Sequence, residues 1–423
     1  QYSVLEETFF KGIFKLMPAH CFTFKDGKMD IKRYWEPVFE ADHSKSLEEY
    51  VDEIDAAMQD SIKAHKVADV EVGSFLSSGV DSSYVAACFH GDKTFTVGFD
   101  YEKYNEIDYA KALSEKIKID NYSKLISKKE YWDSIPTVQY HMDEPLADPA
   151  AVALYFVCNT AAQHLKVVLS GEGADELFGG YPMYLQGGHF AQYTRKVPRP
   201  VRKLAGAVAK RLPAFKGKHF IVRGAMEPYQ RFMRANYVFT DPKERQKYLK
   251  RPITSKLPEE YSKRYFDEVP QLDEPTQLQY VDMHTWMIYD ILLKADRMSM
   301  ANSLELRVPF LDKKMLELSC RIPSRYRADC QSETTKRALR AAALKQLPEE
   351  TAKMKKLGFP VPLSDWLMED KYYSKVKAAF TSDIAEKFFV TSELMKLLDD
   401  HKEGKAKNMQ KIWSFYSFIV WYE

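Results

Sequence analysis

Apolar and polar positions alternate in two distinct ways along the chain after Val70. Short apolar runs indicate buried strands, and the longer amphipathic stretches between them indicate helices. The predicted strands occupy residues 72–76, 94–99, 121–126 and 167–169, and the predicted helices occupy residues 82–89, 105–117, the stretch after 128, and 150–164. This alternation favours an α/β fold, in which a parallel sheet is flanked by helices.

The chain on either side of this unit has different patterns. The Asp26-Gly27 turn between two short alternating segments predicts a β-hairpin, and the next amphipathic stretch predicts a helix over residues 47–65. After residue 228 the pattern is helical, most clearly over residues 278–300 and 334–347. The C-terminal half is therefore expected to be helix-rich, and ligands are expected at the carboxyl ends of the parallel strands.

Residues 184–226 form a basic segment. It contains ten Lys or Arg residues, no Asp or Glu, and three prolines. This composition favours a solvated, partly mobile insertion, and a docking surface for a partner or a polyphosphate is the alternative.

The composition restricts the class of protein. A net charge of +2 argues against a highly charged nucleic-acid binder, and the five cysteines lack metal-ligand spacing, which favours reduced cytosolic thiols. No apolar run approaches the roughly 18 residues of a membrane span, and the first 30 residues lack a signal-peptide pattern. We expect a cytoplasmic protein with small-molecule partners, without nucleic-acid or membrane partners.

The segment from Phe75 to Ser83, with the sequence FLSSGVDSS, lies between a predicted strand and a predicted helix. Small residues allow a tight turn whose N–H groups and helix dipole face an anion. The lysine of a GK[ST] loop is absent, so the pattern favours pyrophosphate, with Asp81 as an oxygen ligand for Mg²⁺. The alternative is an ordinary strand-to-helix turn in which Asp81 begins the helix.

A second segment, GEGADELFGG at residues 171–180, follows the predicted strand 167–169. Its three carboxylates, Glu172, Asp175 and Glu176, repel one another unless a cation or a substrate amine offsets them. An acidic capping loop is the alternative. Because both segments follow strands of one parallel sheet, the two patterns together favour a ligand site.

These two segments, together with LKADRMS at 293–299 and ELRVPFLD at 305–312, resemble the synthetase domain of glutamine-dependent asparagine synthetases over nearly the whole chain. The first loop alone is shared with GMP, NAD and argininosuccinate synthetases. The combination is specific to the asparagine synthetase superfamily, which includes β-lactam synthetases and lasso-peptide cyclases. Ser78 stands where the family more often has glycine. The resemblance implies a PP-loop ATP pyrophosphatase fold.

The resemblance also implies an activity and a set of site residues. The activity is ATP-dependent, AMP-forming amidation of aspartate to asparagine through β-aspartyl-AMP, with Mg²⁺ held by Asp81 and Asp175. The loop around the pyrophosphate would comprise Ser77, Ser78, Gly79, Ser82 and Ser83. The adenosine site would be lined by Phe75, Val97, Ser170 and Gly171.

Four further residues have expected roles in this activity. Glu172 would orient ammonia or take its proton, although a structural acceptor within the loop is the alternative. Lys356 would offset charge on the α-phosphate, and membership of a solvated basic run is its alternative. Arg297 and Arg307 suit the carboxylates of aspartate, but ion pairs with neighbouring acids would suit them equally.

The first 36 residues resemble only the tail of the family's N-terminal, Ntn-type glutaminase domain. We therefore interpret residues 1–36 as a remnant of that domain and residues 37–423 as the synthetase domain. The family's glutaminase nucleophile is a cysteine at the first residue, whereas this chain begins at Gln1 and Cys21 lies within the tail. We therefore expect no glutaminase activity in this chain. A glutaminase domain or subunit is expected to supply ammonia, and a homodimer is compatible with the sequence.

Two other functions are also compatible with the sequence. One is a related adenylating ligase that acts on another carboxylate, such as a β-lactam synthetase or a peptide cyclase. The other is a nucleotide-binding regulatory homologue, against which the presence of Asp81, Glu172, Asp175 and Lys356 argues.

Overall fold

A computed structural model of the chain describes residues 2–101, 105–213, 215–232, 238–239, 242–254, 258–354 and 361–423. Near the N-terminus, an antiparallel hairpin is formed by β1 (His20–Lys25) and β2 (Lys28–Arg33). The predicted hairpin is confirmed: Asp26 and Gly27 both have positive φ, as a two-residue hairpin turn of type I′ requires.

The central sheet has five strands in the order β5-β4-β3-β6-β7, and every neighbouring pair is parallel. Its strands are β3 (Val72–Phe75), β4 (Lys93–Phe99), β5 (Asp120–Ile126), β6 (Val167–Leu169) and β7 (Glu305–Arg307). The predicted fold class and the four predicted strands are confirmed. Strand β7 was not predicted because it is only three residues long and has two charged ends.

Helices cover both faces of this sheet. They are α1 (Leu47–His65), α2 (Val80–Phe89), α3 (Ile107–Ile117), α4 (Lys128–His141), α5 (Ala150–Ala162) and α6 (Ala174–Phe178). Side chains alternate between the two faces of a strand, so Val168 of β6 packs into one hydrophobic core and Leu169 packs into the other. This arrangement leaves the carboxyl ends of β3, β4 and β6 at a common edge.

The basic segment is helical, and some of its side chains are buried. Its helices are α7 (Pro182–Lys196), α8 (Arg199–Arg211) and α9 (Lys218–Gly224). Tyr184, Arg202 and Ala209 are buried. The interpretation of this segment as a partly mobile insertion stays a prediction.

The rest of the chain is mainly helical. Its elements are α10 (Pro228–Arg231), α11 (Pro242–Tyr248), α12 (Pro258–Glu268), α13 (Glu274–His284), a π-helical segment (Met287–Leu292), α14 (Leu293–Met300), a 3-10 turn (Pro309–Leu311), α15 (Lys313–Arg321), α16 (Ser324–Arg327), β8 (Ala328–Asp329), β9 (Thr334–Thr335), α17 (Arg337–Ala343), α18 (Glu349–Lys353), α19 (Leu363–Trp366), α20 (Asp370–Phe380), α21 (Asp383–Phe388), α22 (Thr391–Lys402) and α23 (Met409–Tyr422). In the part of the chain that the structure describes, no helix combines the length and the apolar character needed to cross a membrane.

Two of the helices predicted here need correction. The helix predicted over residues 278–300 is divided into α13, the π-helical segment and α14. The helix predicted from residue 334 begins only at Arg337. Thr334 and Thr335 pair with β8, and Lys336 has a φ of 54°, which is outside the helical region.

Candidate active site

A cavity of about 460 Å³ opens at the edge of the sheet where β3 and β6 end. Most of the predicted site residues lie in its wall. These are Phe75, Ser77, Ser78, Gly79, Asp81, Ser82, Val97, Ser170, Gly171, Glu172 and Asp175. The structure therefore brings the two glycine-containing segments together around one space.

One part of the cavity wall is apolar. It is formed by Phe75 and Val97 with Phe95, Leu154 and Val157. All but Leu154 are at least nine-tenths buried, so their positions are fixed by the core. An apolar wall of this kind suits the faces of a planar heterocycle.

Serine hydroxyl groups form hydrogen bonds across the loop that follows β3. Ser82 Oγ accepts a hydrogen bond from the backbone N–H of Ser77 at 3.0 Å and lies 2.8 Å from Ser77 Oγ. Gly79 is the N-cap residue of α2 and has no side chain to cap the helix. The first backbone N–H groups of this ten-residue helix therefore donate no hydrogen bond to an N-cap side chain. Free N–H groups at a helix N-terminus, together with the helix dipole, attract an anion.

Gly171 holds the second segment against this loop. A Cβ at position 171 would lie 2.7 Å from the backbone nitrogen of Ser82 and 2.9 Å from the carbonyl carbon of Asp81. Any side chain would push the two segments apart, so the contact requires glycine. The close approach places Glu172 beside the anion-binding loop.

Two serines of the loop donate their hydroxyl hydrogens to other residues of the protein. Ser83 does not line the cavity: it is buried, and its hydroxyl donates to the carbonyl of Ser77. Its contact with pyrophosphate stays a prediction. Ser78 donates to Glu106 Oε1 at 2.8 Å, and burial raises the pKa of Glu106. Sequence reasoning missed Glu106, which also lines the cavity.

Lys336 lies between the two predicted metal ligands. Its Nζ is 2.5 Å from Asp81 Oδ2 and 2.6 Å from Asp175 Oδ1, and only 2% of its side chain is exposed. Gly180 provides the space, since a Cβ there would lie 1.8 Å from Asp175 Oδ1 and 2.3 Å from Lys336 Cε. One ammonium group thus offsets the repulsion between two carboxylates.

The same two carboxylates suit a hard divalent cation. A single point, the position of Lys336 Nζ, is already within 2.6 Å of an oxygen from each of them. Across the described residues, no group of three or more His, Cys, Asp or Glu side chains could hold a metal ion. A Mg²⁺ ion here would need further oxygens from a substrate, as is usual for Mg²⁺ bound with phosphates.

A second charged cluster lies at another part of the cavity wall. Lys294 Nζ is 2.5 Å from Asp148 Oδ2 and 3.1 Å from Asp290 Oδ1. Lys294 and Asp148 line the cavity, and the Asp290 side chain is fully buried. Burial opposes protonation of Lys294, but the charges of Asp148, Asp290 and Glu172 raise its pKa above the usual value. Lys294 therefore stays protonated.

The two aspartates of this cluster have opposite protonation tendencies. Burial raises the pKa of Asp290 to about 8, with a contribution from the charge of Asp148. Burial also opposes ionisation of Asp148, but the charge of Lys294 and a hydrogen bond from Asp290 lower its pKa below the usual value. At neutral pH the cluster therefore contains an ionised Asp148 and a protonated Asp290.

The predicted arginines lie elsewhere. Arg297 pairs with Asp143 at 2.9 Å, and Arg307 pairs with Glu305 at 2.7 Å and donates to the carbonyls of His65 and Val67. Neither arginine lines the cavity. Their contact with a carboxylate substrate stays a prediction that this placement does not support.

Comparison with known proteins then identifies the family. The sequence model of asparagine synthase matches residues 53–423. This chain belongs to the asparagine synthase family.

The chain is similar to several known proteins, and three of them illustrate the range of identity. The chain is 39% identical over 414 residues to asparagine synthetase [glutamine-hydrolyzing] 1 of Bacillus subtilis, covering 96% of this chain and 65% of that protein. It is 29% identical over 378 residues to asparagine synthetase [glutamine-hydrolyzing] 3 of the same organism, covering 83% and 55%. It is 24% identical over 441 residues to amidase chyE of Penicillium rubens, covering 90% and 63%. The chain thus spans less than two thirds of each relative.

Sequence reasoning missed the two lysines of these charged clusters. Lys294 lies within the LKADRMS segment used for the resemblance, so that segment contained a signal for it. Lys336 lies in no such segment, and no local pattern connects it with Asp81, which is 255 residues away. The predicted residue Lys356 lies outside the described residues, and its role stays a prediction.

Proposed function

We propose that this cavity is the active site of an ATP-dependent ligase that amidates aspartate to asparagine through β-aspartyl-AMP. The observation that carries the proposal is that one cavity combines an anion-binding loop with a buried cation. An anion-binding loop at Ser77–Ser82 lies against Gly171, and the buried cation Lys294 lines the same space. Adenylation of a carboxylate needs a phosphate site and a carboxylate site within one cavity.

ATP fits the first half of this arrangement. Its adenine would lie against Phe75, Phe95 and Val97, and its β- and γ-phosphates would lie at the N-terminus of α2. Asp81 and Asp175 would hold Mg²⁺ through carboxylate oxygens. When bound, Mg²⁺ would offset the charge that develops on the departing pyrophosphate.

Aspartate fits the second half. We assign a substrate carboxylate to Lys294, because among the described residues it is the one Lys or Arg that lines the cavity. Direct amidation is blocked, since oxide is a poor leaving group. The β-carboxylate oxygen would instead attack the α-phosphorus, and pyrophosphate would leave with the electrons of the broken P–O bond.

Glu172 would act in the second step. Ammonia attacks the acyl carbon of β-aspartyl-AMP, AMP leaves, and the attacking nitrogen must lose a proton. Glu172 lines the cavity beside Gly171 and interacts with the charge of Lys294, which favours its ionised, proton-accepting form.

The names of the relatives bear on the source of ammonia. Two of the relatives above are named glutamine-hydrolyzing. We propose that a glutaminase domain or subunit supplies ammonia and packs against the N-terminal hairpin. Large apolar side chains of the hairpin are about half exposed or more, among them Phe22, Phe24, Met29 and Ile31.

Exchange of labelled pyrophosphate into ATP tests the first step. We expect exchange that depends on aspartate and Mg²⁺, and formation of AMP and asparagine when ammonium is added. Exchange with a different carboxylate, but not with aspartate, would favour a related ligase. Tight ATP binding without any AMP formation would favour a regulatory protein, and either result would refute the proposal.

A further inference from the structure

Helix α8 carries an exposed apolar stripe that no part of the described chain covers. The stripe, called here the α8 surface, consists of Val201, Leu204, Val208, Leu212 and the following Phe215, which are 54%, 68%, 48%, 47% and 42% exposed. Val201, Leu204 and Val208 are separated by three and four residues, so they share one face of α8, and Leu212 follows directly after the helix. An exposed apolar stripe of this length indicates a binding surface.

The orientation of this stripe is fixed by the opposite face of the helix. Arg202 is buried and donates to the carbonyls of Val197 and Gly224, at 3.1 and 2.9 Å. At Gly206, a Cβ would lie 2.4 Å from Ala225 Cβ, so α8 and α9 are in close contact there. The helix cannot turn its apolar side chains inward without losing these contacts.

Cations border the α8 surface. Lys203, Lys210, Arg211 and Lys216 are all exposed, and residues 184–226 contain no acid. Among the described residues, the one ion pair of α8 joins Arg199 to Glu227 at 2.8 Å. The surface therefore combines apolar area with excess positive charge.

These two properties select the occupant. A second copy of the chain would bring like charges together, and a nucleic acid would leave the apolar stripe unused. A surface helix with Leu, Val and Phe on one side and Lys or Arg beside them matches the boundary of a bilayer that contains anionic lipids. We propose that the α8 surface binds reversibly to an anionic lipid membrane, with its apolar side chains at the level of the acyl chains.

This proposal departs from the expectation that the protein has no membrane partner. Such a helix lies in the plane of the membrane interface and does not span the bilayer. The absence of a membrane-spanning helix among the described residues therefore does not argue against the proposal. Each Lys or Arg near an anionic surface strengthens binding about fivefold.

Co-sedimentation of the full chain with vesicles tests the proposal. We expect binding to phosphatidylcholine–phosphatidylglycerol vesicles that weakens at high salt, and at least tenfold weaker binding to pure phosphatidylcholine. The double variant Leu204→Asp/Val208→Asp and the triple variant Lys203→Glu/Lys210→Glu/Arg211→Glu should each bind at least tenfold more weakly. Thermal unfolding of each variant verifies that its fold is intact.

Matched controls separate this surface from general charge or hydrophobicity. Val67→Asp replaces another exposed valine, which is 75% exposed. Lys371→Glu/Lys377→Glu/Lys396→Glu makes the same change of net charge on the exposed faces of α20 and α22. Both controls should bind vesicles like the unmodified chain, and equal losses in controls and α8 variants would refute the proposal.

A fluorescent probe locates the contact. An environment-sensitive dye on Leu204→Cys, in a Cys21→Ser background, should shift to the blue on anionic vesicles, whereas the dye on Val67→Cys should not. The proposal is overturned by the absence of vesicle binding. It is also overturned by RNA binding that survives the apolar variants without vesicle binding, or by a dimer that Leu204→Asp dissociates.

Discussion

Lys336 Nζ lies 2.5 Å from Asp81 Oδ2, although 255 residues separate the two in the sequence. The same Nζ is 2.6 Å from Asp175 Oδ1, so one ammonium bridges the two segments that were predicted to hold Mg²⁺. A protein cation and a bound metal ion would therefore compete for the same carboxylate oxygens.

Replacing Lys336 with methionine should make stability depend on Mg²⁺. The variant keeps the aliphatic volume but leaves two carboxylates facing each other, and we expect a loss of about 3 kcal/mol in the free energy of unfolding. Because Mg²⁺ can take the place of the ammonium, adding it should restore part of this loss. Urea unfolding with and without Mg²⁺ measures both effects.

The control for this variant is Lys345→Met. Lys345 pairs with Asp52, but both side chains are well exposed, so its loss should cost less than about 1 kcal/mol and add no dependence on Mg²⁺. A Lys336→Met variant that is as insensitive to Mg²⁺ as this control would contradict the shared-site interpretation.

Asp148 and Asp290 should respond differently to the loss of charge. Asp290 is protonated at neutral pH because burial raises its pKa, so Asp290→Asn replaces one neutral group with another and should cost about 1 kcal/mol or less. Asp148→Asn removes the ionised partner of the buried Lys294 and should cost about 3 kcal/mol or more. Similar costs for the two variants at neutral pH would contradict the assignment of the proton.

The stability of the protein should also fall with rising pH through Asp290. The folded state keeps the Asp290 proton up to about pH 8, whereas the unfolded state loses it near the usual pKa of 3.8. In this window the folded state binds more protons, so the free energy of unfolding decreases as the pH rises. As the pH rises, the unmodified chain should therefore lose stability relative to Asp290→Asn, by at most about 1.4 kcal/mol per pH unit. A difference that is constant from pH 5 to 8 would refute this expectation.

How much of the fold the sequence predicts depends on how local each signal is. The apolar runs of β3 to β6 lie within single strands, so the pattern alone locates them, and the parallel order then places both glycine-containing segments at one edge. Strand β7 and the left-handed conformation of Lys336 depend on distant partners. The charged clusters around Lys336 and Lys294 depend on tertiary contacts, so no local periodicity predicts them.

Alanine substitutions at two glycines of the site should affect stability and activity differently. At Gly79 a Cβ would meet only Ser77 Oγ at 3.4 Å, an ordinary contact, so Gly79→Ala should change the free energy of unfolding by less than about 1 kcal/mol. The added methyl group would still obstruct the anion site, and pyrophosphate exchange should fall. At Gly171 the new Cβ would meet the backbone of Ser82, so Gly171→Ala should reduce both stability and exchange. Equal stability of the two variants would show that the segments can separate without cost.

The proposed role of Glu172 predicts a separation of the two chemical steps. Glu172→Gln keeps the size of the side chain but cannot accept a proton, so formation of asparagine from ammonium should fall about 100-fold or more. Aspartate-dependent pyrophosphate exchange, which precedes proton transfer, should change no more than about threefold. Glu317→Gln, at an exposed position of α15, provides the control and should alter neither rate. If exchange falls as far as asparagine formation, Glu172 acts in substrate binding or adenylation, and the base in the second step must be another group.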